Sequence, residues 1–287
     1  MKWKTSRFLL DLTTPRVMGI VNATPDSFSD GGNHADVNSA LRHCEKLLRD
    51  GADILDIGAE STRPGAVAVP LDEELARLVP VLREAVRLGV PVSVDSYKPG
   101  VMQVALDLGA DIINDIWALR WHDAATDSLT ATQVVVGHPA CGVCLMHMQG
   151  EPSTMQLHPM QGDAVAQVKL FLQKAVNELH GAGVETSRIV IDPGIGFGKT
   201  PAQNFALLAR QVDLLELACP LLVGWSRKSS LAALVGLTAG SVGGGPDERV
   251  VSSVTAAVLA VERGASIVRV HDVRETVQAL KVLSAIR

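Results

Sequence analysis

The sequence predicts a single (β/α)8 TIM barrel spanning residues 1–287, with its site at the C-terminal ends of the strands, and three observations lead there. Short apolar runs alternate with amphipathic stretches along the whole chain, eight runs in all. One phrase recurs where helices end, a glycine followed closely by the next apolar run: DGADIL from 50, LGVPVSV from 88, LGADII from 108, GAGVETSRIVI from 181 and RGASIVRV from 263. A length of 287 residues suits one such barrel. An open doubly wound sheet would carry fewer strands and a glycine-rich turn after the first.

Taken in order, the expected strands are 17–22 (VMGIVN), 53–58 (DILDIG), 91–95 (PVSVD), 111–115 (DIIND), 143–147 (VCLMH), 188–192 (RIVID), 221–224 (LLVG) and 267–271 (IVRVH). Their near-continuous apolar character is that of parallel strands covered on both faces. Between them, helical spacing gives an apolar stripe of Leu71, Leu75, Leu78, Val79, Leu82 and Val86. A second consists of Val165, Val168, Leu172, Ala175, Val176 and Leu179, and a third of Val250, Val251, Val254, Val258 and Val261. The third is apolar enough to suggest a subunit contact, and a homodimer is expected.

Composition narrows the class of function. A hydrophobic content of 47% fills a large core, while a net charge of −5 and 3% aromatic residues argue against a nucleic-acid groove of basic stripes and stacking rings. The N-terminal MKWKTSRFLLDLTTPR holds only a short apolar run and no later segment is long and apolar enough to span a bilayer, so a soluble cytoplasmic protein with no membrane partner is expected. Four cysteines are too few to staple the chain. Cys141 and Cys144 form a CxxC flanked by His138 and His147, but with no second pair, in a segment that reads as strand, a zinc site is disfavoured.

The stretch IVIDPGIGFGKT, 189–200, reads as a buried strand ending on a carboxylate and opening into a glycine-rich loop. It fails as a Walker A loop, because Gly198, Lys199 and Thr200 set a register that puts Pro193 where glycine is required. It fails as a dinucleotide fingerprint too, since Lys199 stands where the third glycine belongs. Its glycines are expected to let the backbone pass close to a ligand. The other strand tips are also polar: Asn22, Asp95, Asn114 with Asp115, Met146 with His147, Gly224 leading into SRKS, and Arg269 with His271. One buried Asp or Asn is usually a structural hydrogen-bond partner, whereas so many at one end of a barrel point to a ligand site.

These motifs resemble the pterin-binding barrel family over nearly the whole chain: MGIVNATPDSFSDGG at 18–32, DIGAESTRPGA at 56–66, SVDSYKP at 93–99, INDI at 113–116, LMHMQGEPSTMQ at 145–156, DPGIGFGK at 192–199, GWSRKS at 224–229 and RVHDV at 269–273. Within it the match is to enzymes of folate biosynthesis that join 4-aminobenzoate to 6-hydroxymethyl-7,8-dihydropterin diphosphate, releasing diphosphate by an SN1-like path. The resemblance implies that Asp95, Asn114 and Asp192 meet the donor edge of the pterin, a pairing that carboxylates and an amide suit. It implies that Lys228 donates to a ring acceptor, that Ile116, Met146 and Phe197 wall the pocket, and that Arg269 lies over the ring. Asn22 is expected to hold Mg2+ with the diphosphate oxygens, joined there by Arg269 and His271. Thr62, Arg63 and Pro64, with the lid residues Asp26, Ser27 and Phe28, are expected to close over the amine. Ser229, beyond Gly224 and Lys228, is placed to take the aminobenzoate carboxylate. Asp95, Asp192, Lys228 and Arg63 are thus the expected catalytic group, and sulfonamides, which mimic aminobenzoate, the expected inhibitors. Trp117 and the long stretch to Gly142 depart from the family pattern. A methyltetrahydrofolate-dependent methyltransferase is the nearest rival, opposed by ATPDSFSDGG, ESTRPG, SRKS and RVH; a catalytically silent pterin-binding paralogue is the other.

Overall fold

The computed structural model describes residues 1–23, 33–63, 65–123, 128–236 and 246–286. The chain opens with a short antiparallel hairpin, β1 (Lys2–Lys4) and β2 (Leu9–Asp11). The barrel strands follow as β3 (Arg16–Asn22), β4 (Ile54–Gly58), β5 (Val92–Asp95), β6 (Ile112–Asp115), β7 (Gly142–Met146), β8 (Ile189–Asp192), β9 (Leu222–Val223) and β10 (Ile267–Val270). Their order is β8-β7-β6-β5-β4-β3-β10-β9, every pairing is parallel, and a bridge between Ile191 and Leu221 joins the ends of the order into a closed ring. The expected strands lie within a residue or two of these bounds.

Helices α1 (Asn33–Asp50), α2 (Leu71–Ala85), α3 (Pro99–Asp107), α4 (Ala131–Gly137), α5 (Ala164–Gly181), α6 (Pro201–Ala209), α7 (Ser229–Leu234), α8 (Val250–Glu262) and α9 (Val273–Ser284) surround the ring. The recurrent glycines end helices as expected: Gly51, Gly89, Gly109, Gly183 and Gly264 all have positive φ, where a side chain is strained.

Period two divides the strand residues between two cores. Outward positions such as Val17, Val21, Leu55, Ile57, Val94, Ile113, Val143, Leu145, Ile191 and Val268 pack against the helices. Inward positions at the N-terminal ends, Met18, Ile54, Ile112, Cys144, Val190, Leu222 and Ile267, form a second core with Trp3 and Leu12. The hairpin therefore seals the bottom of the barrel. The Trp3 indole donates to the Arg188 carbonyl at 2.9 Å, and Arg7 holds the buried Asp111 through its backbone N–H, Nε and Nη2 at 3.0, 3.0 and 2.6 Å. Higher in the barrel the inward positions turn polar, and the site lies there.

Two stretches singled out in the sequence divide between faces. The buried face of α8 is Ser253, Ala256, Ala257, Ala260 and Val261, so of the valine stripe only Val261 is buried. Val251 is 78% exposed and Val250, Val254 and Val258 are only partly covered, because small residues let the helix lie close against the barrel and the valines turn outward. Cys141 and Cys144 also part company. Cys144 faces the inner core, whereas Cys141 lies in the outer one, where its Sγ meets Arg188 Nη2 at 3.1 Å.

Candidate active site

Five strands deliver the polar group at the mouth. Asp56 comes from the middle of β4, Asp95 from the end of β5, Asn114 from β6, Asp192 from the end of β8 and Arg269 from β10. Arg269 ties three of them together: its Nε donates to Asp56 Oδ2 at 2.5 Å and its Nη2 to Asp95 Oδ2 at 2.6 Å, while Asn114 Nδ2 reaches the same Asp56 oxygen at 3.2 Å. Burial opposes the charge on Arg269, but the Asp56 and Asp95 carboxylates outweigh it and raise its pKa above the ordinary arginine value. For Asp95 burial is the largest influence and lifts the pKa to about 7 despite the guanidinium. Asp192 is raised by burial as well; its Oδ1 accepts from the Gly194 N–H at 2.7 Å.

Asp56 was missed among the candidate residues, although the motif DIGAESTRPGA begins on it. The signal was periodicity, since Asp56 shares the inward face of β4 with Ile54 and Gly58. It is fully buried and its Oδ1 has no hydrogen-bond partner among the described residues, an unmet acceptor beside Arg269 and Asn114.

The apolar wall forms as expected. Ile116, Met146 and Phe197 fall in one cluster, which Tyr97, Met148 and Met155 complete with Trp117 and Trp121 packed against it. Lys228 places its Nζ 4.4 Å from the centre of the Phe197 ring, and burial lowers its pKa to about 8. Gly224 follows β9 close to Arg269. Trp117 and Trp121 are thus accounted for, and the turn carrying them depends on Asp115, which accepts from the Trp117 and Leu119 N–H groups at 2.8 and 2.6 Å.

Not every polar strand tip joins the site. Asp115 is spent on that turn, and the His147 ring turns away to meet Phe171 of α5 edge-on at 4.9 Å, with burial pushing its pKa down to about 2. His271 stays at the mouth, but burial, followed by Arg269 and Arg227, lowers its pKa to about 3. Burial thus favours the neutral ring, a hydrogen-bond donor. Ser226 Oγ accepts from the His271 backbone N–H at 3.1 Å and lies 2.9 Å from Nδ1, which favours the ring proton on Nε2.

The loop after β4 is fastened at its base. Glu60 receives the Tyr97 hydroxyl at 2.8 Å and the Lys98 ammonium, which also reaches Glu74 at 2.5 Å. Further along, Gly65 N–H donates to the Pro152 carbonyl at 3.1 Å. Thr62 is half-buried and Arg63 exposed, with Arg63 near enough to act on both Lys228 and His271. Ser229 is exposed at the start of α7. Pro64 and the lid residues Asp26, Ser27 and Phe28 lie outside the described residues.

The glycines of DPGIGFGK serve protein neighbours. A Cβ on Gly194 would sit 1.9 Å from the His147 carbonyl oxygen and one on Gly198 would sit 2.3 Å from that of Gln149, so the loop after β8 packs directly on the backbone that follows β7.

Asn22 ends β3, half-exposed, with its carboxamide hydrogen-bonded to none of the described residues. A single free amide oxygen fits a hard cation that keeps most of its coordination for water and a substrate diphosphate. Among the described residues no group of His, Cys, Asp and Glu forms a metal cage.

The model of a family described as pterin binding enzyme matches residues 18–271. A dihydropteroate synthase of Neisseria meningitidis serogroup B is 47% identical over 289 residues, covering 99% of this chain and 97% of that one. Among solved structures, Burkholderia cenocepacia dihydropteroate synthase complexed with 7,8-dihydropteroate is 47% identical with a TM-score of 0.85, covering 100% of this chain and 96% of that one. Yersinia pestis dihydropteroate synthase with a sulfonamide drug is 42% identical with a TM-score of 0.89, covering 100% and 99%.

Proposed function

This chain belongs to the family of pterin-binding enzymes, and from that premise we propose that it is a transferase of folate biosynthesis, carrying out the reaction of the dihydropteroate synthases it resembles. It condenses 6-hydroxymethyl-7,8-dihydropterin diphosphate with 4-aminobenzoate to give 7,8-dihydropteroate and diphosphate. The observation that carries this reading is the convergence of Asp56, Asp95, Asn114 and Asp192 beside one arginine and one lysine, above a sealed barrel bottom and against an apolar wall.

The chemistry follows from that arrangement. Asp192, Asp95 and Asn114 accept from and align the donor edge of the pterin, with Phe197, Met146 and Ile116 against its faces and Lys228 donating to a ring acceptor. Arg269, clamped in plane by Asp56 and Asp95, keeps the faces of its guanidinium for stacking. The bond between the pterin methylene carbon and the diphosphate oxygen breaks with its electron pair leaving on diphosphate. The buried carboxylates stabilise the cationic pterin that remains. The aminobenzoate nitrogen then forms the new C–N bond and sheds a proton, and because the electrophile is already ionised, positioning counts for more than a general base.

Asn22 would hold Mg2+, which when bound supplies positive charge to the leaving diphosphate. His271 and Arg269 would join it at the phosphates, His271 as an N–H donor. Thr62, Arg63 and Pro64, Asp26, Ser27 and Phe28, and Ser229 are assigned to the aminobenzoate side, where a sulfonamide would compete. Among the described residues no helix is long and apolar enough to cross a membrane and all four cysteines are unpaired, in keeping with a cytoplasmic reaction. The outward valines of α8, with Val282 of α9 exposed at 69%, support a homodimer built on that face.

Mixing the protein with Mg2+, pterin diphosphate and 4-aminobenzoate tests the reading. Diphosphate release that requires all three is expected. A folded sample that binds pterin but releases none would be the silent paralogue, and methyl transfer from methyltetrahydrofolate would mark the rival class.

A further inference from the structure

Lys199 is a buried lysine that no step of this reaction uses. It is 2% exposed, and its Nζ donates to three backbone carbonyls: Gly194 at 2.8 Å, Phe197 at 3.1 Å and His147 at 3.3 Å. Among the described residues it forms no salt bridge, and Asp192 acts on it only at a distance. A buried ammonium satisfied by carbonyls alone is costly unless the geometry it imposes is needed.

That geometry concerns the pterin side of the mouth. Two of the carbonyls belong to the turn after β8 and the third to the residue just past β7, so the ammonium gathers both loops around one point. Within the turn, Gly194 N–H holds Asp192 Oδ1 at 2.7 Å, and the Gly194 carbonyl accepts from Phe197 N–H at 3.1 Å as well as from Lys199. The Asp192 carboxylate is therefore held by the N–H of a residue whose carbonyl ends on Lys199, and the Phe197 ring is carried by another such residue. The two loops are also joined by His147 N–H to the Asp192 carbonyl at 3.0 Å and Gln149 N–H to the Phe197 carbonyl at 3.5 Å, and further out by Met160 N–H to the Gly198 carbonyl at 2.9 Å and Gln156 Nε2 to that of Gly196 at 2.7 Å. None of these four ends on the Gly194 carbonyl, which among the described residues Lys199 alone ties to the loop after β7.

We infer that Lys199 is a positioning residue for pterin recognition, its ammonium fixing the Gly194 and Phe197 carbonyls so that Asp192 and Phe197 face the ligand. This rests on the pterin reading of the mouth, which wild-type protein tests separately in the same titration.

The experiment uses Lys199→Met, which keeps the stem and removes the donors. It compares the Kd for 6-hydroxymethyl-7,8-dihydropterin diphosphate, the KM for 4-aminobenzoate at saturating pterin, and the melting temperature. A pterin Kd weakened by about tenfold or more is expected, the loss of one charged buried hydrogen-bond donor, with the 4-aminobenzoate KM within about twofold of wild type. Lys199→Gln, which restores two N–H donors, is expected to recover part of the affinity and serves as the readout if the Met variant does not fold. A variant that melts earlier yet binds pterin as wild type does would overturn the inference, as would an equal loss for both substrates.

Discussion

Asp56 and Arg269 form the pair on which the mouth depends most, because Asp56 is fully buried and its charge is met by the partly buried Arg269 guanidinium. Asp56→Ala leaves a guanidinium held by Asp95 alone, and breaking a buried pair from one side costs on the order of 3 kcal/mol. Urea unfolding is expected to show that loss, with pterin binding lost in parallel. Asp192→Ala is expected to abolish pterin binding, read by titration, while Arg63→Ala spares it and lowers turnover; normal turnover by Arg63→Ala would remove that arginine from the closing loop. The pH profile follows from two opposed shifts. Asp95 must ionise to accept from the pterin and does so as pH rises through about 7, whereas Lys228 must stay protonated to donate and loses its proton near about 8. A plot of kcat/KM against pH is therefore expected to be bell-shaped with a narrow maximum between those values, and a flat profile from pH 6 to 9 would contradict both assignments. Motif residues were legible at this scale, and what escaped was context. Asp115 and His147 carry suitable groups but lie on the outward side of their strands, and the charge states of His271 and Arg269 depend on neighbours that only the fold brings together.

Among the elements, the β1–β2 hairpin is the clearest case of structure that periodicity did not announce. Lys2, Lys4 and Arg7 hide the role of Trp3, because three residues per strand are too few to show alternation and the partners of Trp3 lie far along the chain. Trp3→Ala is expected to cost about 3–5 kcal/mol, seen as an earlier urea midpoint, with pterin affinity of the folded protein unchanged because the indole sits at the opposite end of the barrel. The strands were readable throughout, since burial on both faces leaves a continuous apolar run, and so were the helix ends marked by glycine. In helix α8 the valine stripe, Val261 apart, lies outward, as its reading as a subunit contact requires. Hydrophobicity picks out valines, but close packing against a barrel selects alanine and serine, and the sequence pattern weighs the first without the second.

At the level of the whole molecule the outward face of α8 and α9 carries the expectation of self-association. Val251→Asp with Val282→Asp puts charge into that face without touching the core, and sedimentation is expected to fall from a dimer to a monomer mass. An unchanged mass would move the interface elsewhere. The closed ring itself was inferred from the count of strands, and the Ile191–Leu221 bridge supplies the closure.

The sealed bottom also has a consequence for traffic. With Trp3 and Leu12 stoppering one end, the barrel is a vessel with one doorway, and two substrates and two products must share it. On the proposed reading a pterin held by the strand-tip carboxylates would have to enter before the amine blocked its path, and dihydropteroate, spanning both seats, would have to withdraw before another pterin could enter. Turnover in such a vessel queues at the exit, and a molecule lodged in the outer seat stops arrivals and departures together.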